Sequence, residues 1–203
     1  MRANIYLNKC ELDRAISDYN CAITLKPDYV EAFVNRSAVY SLLGRSDNAI
    51  TDCNEAIRLN PNNANAYVNR GNVYLYKDEF DNAIADYNKA IKIDPNHLEA
   101  YINSGVAYAS RGENDKVIVA CTEIIRLKPD YANAYINRGT AYQNKKEYGN
   151  AILDFEKEEE HTLIRVNKTK QLLIFLKRFN INLTGLMLII GVVFLIIIKN
   201  NML

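Results

Sequence analysis

The prolines of this 203-residue chain fall at a fixed interval and divide most of the sequence into equal segments. Successive prolines are 34 residues apart, at Pro27, Pro61, Pro95 and Pro129. Tyrosines keep the same interval, at Tyr6, Tyr40, Tyr74, Tyr108 and Tyr142. A constant period of this length indicates an array of stacked helix–turn–helix units, in which each unit is buried against its neighbours.

Within each segment the same types of residue recur in the same order. An aromatic residue, a small residue and a tyrosine are followed by an alanine, a second aromatic residue and the proline. The departures are Cys53 and Cys121 at the second aromatic position, Val117 at the alanine position and Leu163 at the last proline position. The most complete copy contains Tyr67, Gly71, Tyr74, Ala83, Tyr87 and Pro95. This order resembles the tetratricopeptide repeat, over roughly residues 1–160. The resemblance implies a first, truncated repeat at 1–29, full repeats at 30–63, 64–97 and 98–131, and a degenerate fifth repeat at 132–162.

The resemblance implies an all-α fold, an α-solenoid of two-helix repeats wound into a right-handed superhelix with a concave surface. Apolar residues at helical spacing support two helices in each repeat, and the proline stops the second helix. Small residues such as Gly71 and Ala83 let the two helices approach closely, and the aromatic residues fill the gaps between them. The pattern predicts paired helices at 2–8 and 12–24, 30–43 and 47–58, 64–77 and 81–92, 98–111 and 115–126, and 132–145 and 149–160.

Composition and motifs argue against catalysis and against nucleic-acid binding. The net charge is +1, and acidic and basic residues are mixed along the helices as on ordinary solvated faces. The four cysteines form no C-x-x-C pair, and neither His97 nor His161 is placed to complete a zinc site. No nucleophile-elbow, metalloprotease or phosphate-binding motif occurs. We therefore expect no enzyme activity, no metal, no cofactor and no small-molecule substrate.

The C-terminal segment has a different composition. The repeat pattern stops near Glu158, and residues 163–180 are basic and apolar, which predicts a juxtamembrane helix that covers the end of the array. Residues 181–198, INLTGLMLIIGVVFLIII, carry no charge and would form about 27 Å of helix, enough to cross a bilayer. Most basic residues of this region precede the span, namely Lys168, Lys170, Lys177 and Arg178. We therefore expect a C-terminal, single-pass transmembrane anchor with the repeats facing the cytoplasm.

The first helix of each repeat is expected, by the resemblance, to line the concave groove. One groove position holds an asparagine in each of the four repeats from 30 to 162: Asn35, Asn69, Asn103 and Asn137. The preceding position is apolar: Val34, Val68, Ile102 and Ile136. Because an amide both donates and accepts hydrogen bonds, such a ladder could hold the backbone of an extended peptide. The other interpretation is that the asparagines bridge neighbouring helices or reflect recent duplication of the repeat.

A second groove signature of the family is present only in part. Some tetratricopeptide-repeat proteins grip the acidic C-termini of chaperones with a carboxylate clamp of lysines, asparagines and an arginine. Two of its asparagines have counterparts in Asn72 and Asn103, but its basic positions hold Val68, Asn133 and Asn137. A carboxylate gains little without cationic partners, so the sequence argues against a co-chaperone function.

These observations favour a membrane-tethered scaffold that binds a peptide or helix of another protein in the concave groove. One alternative is a non-catalytic regulatory or targeting part of an enzyme complex, for example a glycosyltransferase system. Another is a tail-anchored adaptor that organises a membrane. Mitochondrial fission adaptors have this fold and a tail anchor, but the resemblance to them is one of architecture only.

Overall fold

The computed structural model describes residues 9–160, and within that range the chain forms nine helices. They are α1 (Lys9–Leu25), α2 (Val30–Leu42), α3 (Ser46–Leu59), α4 (Ala64–Tyr76), α5 (Phe80–Ile93), α6 (Leu98–Ser110), α7 (Asn114–Leu127), α8 (Ala132–Asn144) and α9 (148–160). The chain divides into two compact units, Met1–Phe155 and Glu156–Leu203. Only residues 156–160 of the second unit are described, and they are helical.

The prediction of an all-helical repeat array is confirmed. Every helix end from Val30 to Asn144 lies within one residue of its predicted position. The exception is α1, which is already helical at Lys9, the first described residue, where the repeat pattern predicted a turn before a helix start at residue 12. Cys10 occupies the repeat position at which Gly44, Asp78, Gly112 and Lys146 adopt a positive φ, and in α1 this position is helical instead. The residue type alone does not explain the difference, because Lys146 adopts the left-handed conformation without being a glycine.

The turn between the two helices of a repeat has the same backbone geometry in each full repeat. A residue with positive φ follows the first helix at Gly44, Asp78, Gly112 and Lys146. In the 64–97 repeat, the amide of Glu79 donates to the carbonyl of Tyr74 at 2.8 Å and the amide of Asp78 donates to Leu75 at 3.1 Å. These bonds satisfy the last carbonyls of α4 and turn the chain sharply into α5.

The helices pack in chain order, and each contacts the next. The first helices of successive repeats also contact each other, α2 with α4 and α4 with α6. Among the described helices, the second helices α3, α5 and α7 make no comparably extensive contact with one another. The repeats are therefore closer together on the side of the first helices, which makes that side the inner face of the array.

Membrane insertion was predicted for a part of the chain that the structure does not describe. Among residues 9–160, no helix combines the length and the hydropathy that a bilayer span requires. The predicted helix at 2–8, the juxtamembrane helix at 163–180 and the transmembrane helix at 181–198 all lie outside the described residues.

Candidate functional site

The asparagine ladder lies on the first helices, on the inner face of the array. Two of its members bond to the preceding repeat. The side-chain amide of Asn69 donates to the carbonyl of Val34 at 3.0 Å and to the hydroxyl of Ser37 at 3.2 Å. The amide of Asn103 donates to the side-chain oxygen of Asn72 at 2.8 Å. These two asparagines join neighbouring first helices, and any part they play in binding a peptide stays a prediction.

Asn72 is the centre of a small polar network between repeats. Its side-chain oxygen also accepts a hydrogen bond from the hydroxyl of Tyr87 at 2.9 Å, and its amide donates to Glu99 at 3.2 Å. The Tyr87 side chain is fully buried, so its hydroxyl needs such a partner. Burial raises the pKa of Tyr87 above its usual range, which keeps the phenol neutral and able to donate.

Asn137 differs from the other ladder asparagines. It is exposed, and its side chain makes no hydrogen bond to any residue within 9–160. The preceding repeat explains this, because Gly105 replaces the acceptor Ser37 and Val106 replaces the acceptor Asn72 at the corresponding positions. Asn35 is half-buried, and the first helix of the preceding repeat, predicted at 2–8, lies outside the described residues.

The apolar groove positions become more exposed towards the C-terminal repeats. Val34 and Val68 are 9% and 1% exposed, Ile102 is half-buried, and Ile136 is 38% exposed. Val34 and Val68 are covered because α2 and α4 each contact the first helix of the next repeat. Apolar surface on the inner face is therefore accessible in the fourth and fifth repeats, where Val106 is also 45% exposed.

A cavity of about 420 Å³ opens between α6, α7 and α8, and we call it the α6–α8 pocket. Apolar residues of α6 and α7 form one part of its wall, and amide and hydroxyl side chains of α7 and α8 form another. None of the lining residues is charged. They are Ile102, Gly105, Val106, Ala109, Ser110, Gly112, Asn114, Val117, Cys121, Ile124, Tyr131, Asn133, Asn137, Thr140, Ala141 and Asn144.

The pocket exists because the fourth repeat lacks an aromatic ring that its neighbours contain. In the third repeat the ring of Tyr87 lies against Gly71, so close that a Cβ on this glycine would meet a ring carbon at 2.7 Å. The ring of Phe155 lies against Gly139 at the same distance. In the fourth repeat Cys121 takes the position of the ring, and a Cβ on Gly105 would meet only the Ala120 Cβ, at 3.7 Å. The small pair therefore leaves open the space that a ring occupies in the adjacent repeats.

A second repeated interaction was not predicted from the sequence. The guanidinium of an arginine on the first helix forms a two-pronged ion pair with an aspartate on the second helix, 16 residues later. The shortest N–O distances are 2.6 Å in Arg36–Asp52, 2.7 Å in Arg70–Asp86 and 2.7 Å in Arg138–Asp154. The aspartates are buried, so the view of all charged residues as solvated faces is wrong for these pairs. The 34-residue recurrence of the arginines was the signal that could have revealed them.

The fourth repeat lacks this ion pair as well. Ser104 replaces the arginine and Ala120 replaces the aspartate. The amide of Asn88 on α5 donates to the hydroxyl of Tyr108 on α6 at 3.2 Å, but this bond joins the third repeat to the fourth and not the two helices of the fourth repeat. The fourth repeat thus lacks three features that the third repeat has: the arginine–aspartate ion pair, the buried aromatic ring and a side-chain acceptor for the ladder asparagine of the next repeat, Asn137.

Cys121 is one of the residues that line the α6–α8 pocket. Burial raises the pKa of this thiol to about 11, which keeps it protonated and weakly nucleophilic at neutral pH. Burial raises the pKa of Cys53 to about 11 in the same way. Within residues 9–160 no group of three His, Cys, Asp or Glu side chains is placed to hold a metal ion.

Comparison with known families identifies the repeats. Family descriptions of the tetratricopeptide repeat match residues 64–97 and 132–157, and a further TPR repeat description matches residues 39–78. These segments are tetratricopeptide repeats. No curated protein matches the sequence of the chain significantly.

Solved structures of similar fold cover most of the chain. A crystal structure of MamA is 28% identical, covers 82% of this chain and 98% of its own, and has a TM-score of 0.75. MamA from Desulfovibrio magneticus RS-1 is 20% identical over 79% of this chain and 90% of its own, with a TM-score of 0.69. YrrB, described as a TPR protein with an unusual peptide-binding site, is 22% identical over 83% of this chain and 88% of its own, with a TM-score of 0.65. At these identities the last two show the fold alone.

Proposed function

We propose that this chain is a protein–protein interaction scaffold, which binds a peptide or helix of another protein on the inner face of its tetratricopeptide-repeat array. The α6–α8 pocket carries the proposal. It is an open cavity with an apolar wall and a few amide groups, the composition typical of a site that binds an uncharged polypeptide segment. The likeness to YrrB, whose description includes a peptide-binding site, supports this view by analogy of fold.

The accessible ladder member gives the site its polar contact. The side-chain amide of Asn137 offers two donors and one acceptor, which matches the alternating groups of a peptide backbone. Asn69 and Asn103 already use their amides to join α4 to α2 and α6 to α4. Binding would therefore concentrate on the fourth and fifth repeats and would not extend evenly along the groove.

Site-specific photo-crosslinking tests this proposal with the full chain in its own cells. A photoreactive phenylalanine analogue replaces Ile136, a groove position that is exposed on the first helix α8. In a control chain it replaces Val119, which is 64% exposed on the second helix α7. We expect a discrete crosslinked partner from position 136 and not from position 119. Equal crosslinking from both positions, or none from position 136, would overturn an inner-face binding site.

We propose further that residues 181–198 hold the scaffold at a membrane, with the repeats on the cytoplasmic side. The uncharged 18-residue stretch and the basic residues that precede it support this proposal. Val192→Arg would place a charge near the middle of the span, at a cost of about 2.5–3.5 kcal/mol for insertion. The variant should move towards the soluble fraction of a cell lysate. Release of the unmodified chain from membranes by alkaline carbonate would refute the anchor.

A further inference from the structure

We propose that the α6–α8 pocket binds a single phenylalanine side chain of a partner polypeptide, while Asn137 hydrogen-bonds the backbone beside that residue. This inference rests on the proposed scaffold function and specifies what the site recognises. Four observations support it. The pocket has the shape left by an aromatic ring, Val106 offers no acceptor for a tyrosine hydroxyl, no lining residue is charged, and the side-chain amide of Asn137 is accessible.

The chain itself shows which group fits the space. In the third and fifth repeats, the position equivalent to Cys121 carries a six-membered aromatic ring, which packs against a glycine of the first helix. Gly105 keeps that glycine in the fourth repeat although no ring of its own repeat lies against it. A ring that enters the pocket from outside would meet the same glycine surface and the apolar side chains of Ile102 and Val117. Rings contribute strongly to binding at such sites because they bury a large apolar area.

The preference for phenylalanine over tyrosine follows from the residue beside the ring. The hydroxyl of Tyr87 is satisfied by Asn72. The equivalent of Asn72 is Thr140 in the fifth repeat, where the ring is Phe155 and carries no hydroxyl. In the fourth repeat the equivalent is Val106, which cannot accept a hydrogen bond. A tyrosine bound in the orientation of Tyr87 would therefore leave its hydroxyl without that partner, which weakens binding.

The charge of the pocket narrows the choice further. No lining residue is acidic or basic, so a terminal carboxylate, a phosphate or a lysine would lose its hydration without gaining an ionic partner. The exposed amide of Asn137 can instead pair with a neutral peptide group next to the inserted ring. The recognised element is thus an internal phenylalanine of a peptide and not a charged chain end.

Three capped pentapeptides with alanine at every position except the centre test the proposal. Their central residues are phenylalanine, tyrosine and alanine, and the reporter is the rate at which iodoacetamide alkylates Cys121 in the full chain. Cys53 provides an internal control, because it is equally buried and does not line the pocket. We expect the phenylalanine peptide to slow alkylation of Cys121 and not of Cys53. The tyrosine peptide should need roughly tenfold higher concentration, the ratio expected for one unpaired hydroxyl.

Two variants distinguish this site from a general effect on the fold. Cys121→Phe copies the pair Gly139–Phe155 and should fill the pocket from within, leaving the thermal midpoint unchanged or raised while binding of a fluorescent form of the phenylalanine peptide is lost. Val119→Phe adds the same ring to the same helix outside the pocket and should leave binding unchanged. Val106→Asn restores the acceptor seen at Asn72 and should reverse the preference in favour of the tyrosine peptide.

The outcomes separate this inference from the proposed function. Equal binding of all three peptides, or unaltered binding of the phenylalanine peptide by Cys121→Phe, would overturn the phenylalanine site. If position 136 still crosslinked a partner in that case, the scaffold function would stand with a different mode of recognition. If Cys121→Phe lost its helical circular dichroism, the preference switch in Val106→Asn would decide the question, and an unchanged preference would overturn the inference.

Discussion

Alanine at Gly71 and at Gly105 should change the stability of the array in opposite directions, although both glycines occupy the same helical position in adjacent repeats. Alanine is favoured over glycine inside a helix by about 1 kcal/mol. At Gly71 the new methyl group would lie 2.7, 3.0 and 3.1 Å from three atoms of the Tyr87 ring. Overpacking of this kind costs about 1–3 kcal/mol.

The surroundings of Tyr87 place the cost in the upper part of that range. The ring is fully buried and its hydroxyl is bonded to Asn72, so it cannot move away from the added methyl group without losing that bond. We expect Gly71→Ala to destabilise the array by about 1–2 kcal/mol after the helix-propensity gain is subtracted. At Gly105 the methyl group would make only an ordinary contact with Ala120 at 3.7 Å. Gly105→Ala should therefore stabilise the array by about 0.5–1 kcal/mol.

Urea denaturation of the full chain, followed by far-ultraviolet circular dichroism, measures both changes. The midpoints should move in opposite directions with the slope unchanged, and the thermal midpoints should differ by about 2–4 °C for each kcal/mol. Gly139→Ala is a matched second case, because its methyl group would meet the Phe155 ring at 2.7 Å, and it should behave like Gly71→Ala. Similar shifts for Gly71→Ala and Gly105→Ala would refute the argument that a ring fills one repeat and is missing from the next.

Three further predictions concern the contacts that join the helices. Asn69→Ala removes two hydrogen bonds to α2 and should cost about 0.5–1.5 kcal/mol in urea denaturation, whereas Asn137→Ala should stay within about 0.5 kcal/mol of the wild type. Asp86→Ala leaves Arg70 partly buried without its carboxylate and should cost about 1.5–3 kcal/mol, measured in the same way. Burial raises the pKa of the Cys53 and Cys121 thiols from 9.0 to about 11. The stabilisation that these neutral thiols give to the folded state is fully present below pH 9. Their contribution should be lost between pH 9 and 11, and a chain with both replaced by alanine should lose less stability over that interval.

The sequence predicted the helices well because the determinants of the helices are local. Apolar spacing, polar turns and the recurrent prolines each act over a few residues, so the period alone located nearly every helix end. The left-handed residue in each turn was less predictable. Glycine marks it at Gly44 and Gly112, but Asp78 and Lys146 adopt the same conformation without such a signal.

The candidate site was harder to predict because it depends on pairs of residues in different repeats. Asn69 was recognised as part of a ladder, but its role is set by Ser37, which lies 32 residues earlier in the chain. The same substitution pattern explains the pocket, which requires Gly105 and Cys121 together and would be absent with an aromatic residue at either position. Comparison of one repeat with the family pattern shows that Cys121 replaces an aromatic residue. Only the packing of the helices shows that this substitution and Gly105 border the same cavity.

The fourth repeat should also open more readily than the third. Its two helices lack the arginine–aspartate pair and the buried ring that join the helices of the third repeat, and its asparagine acceptor for α8 is missing. Local opening follows the number of buried contacts that must be broken, so amide protons of α6 and α7 should exchange with solvent faster than those of α4 and α5. Cys121→Phe supplies the missing ring and should slow exchange in α6 and α7 with no comparable change in α4. Native-state hydrogen exchange that showed equal protection in the two repeats of the unmodified chain would contradict this view. A ligand stabilises the elements that it contacts. If added phenylalanine peptide slows amide exchange only in α6–α8, the peptide binds at the loosely packed fourth repeat.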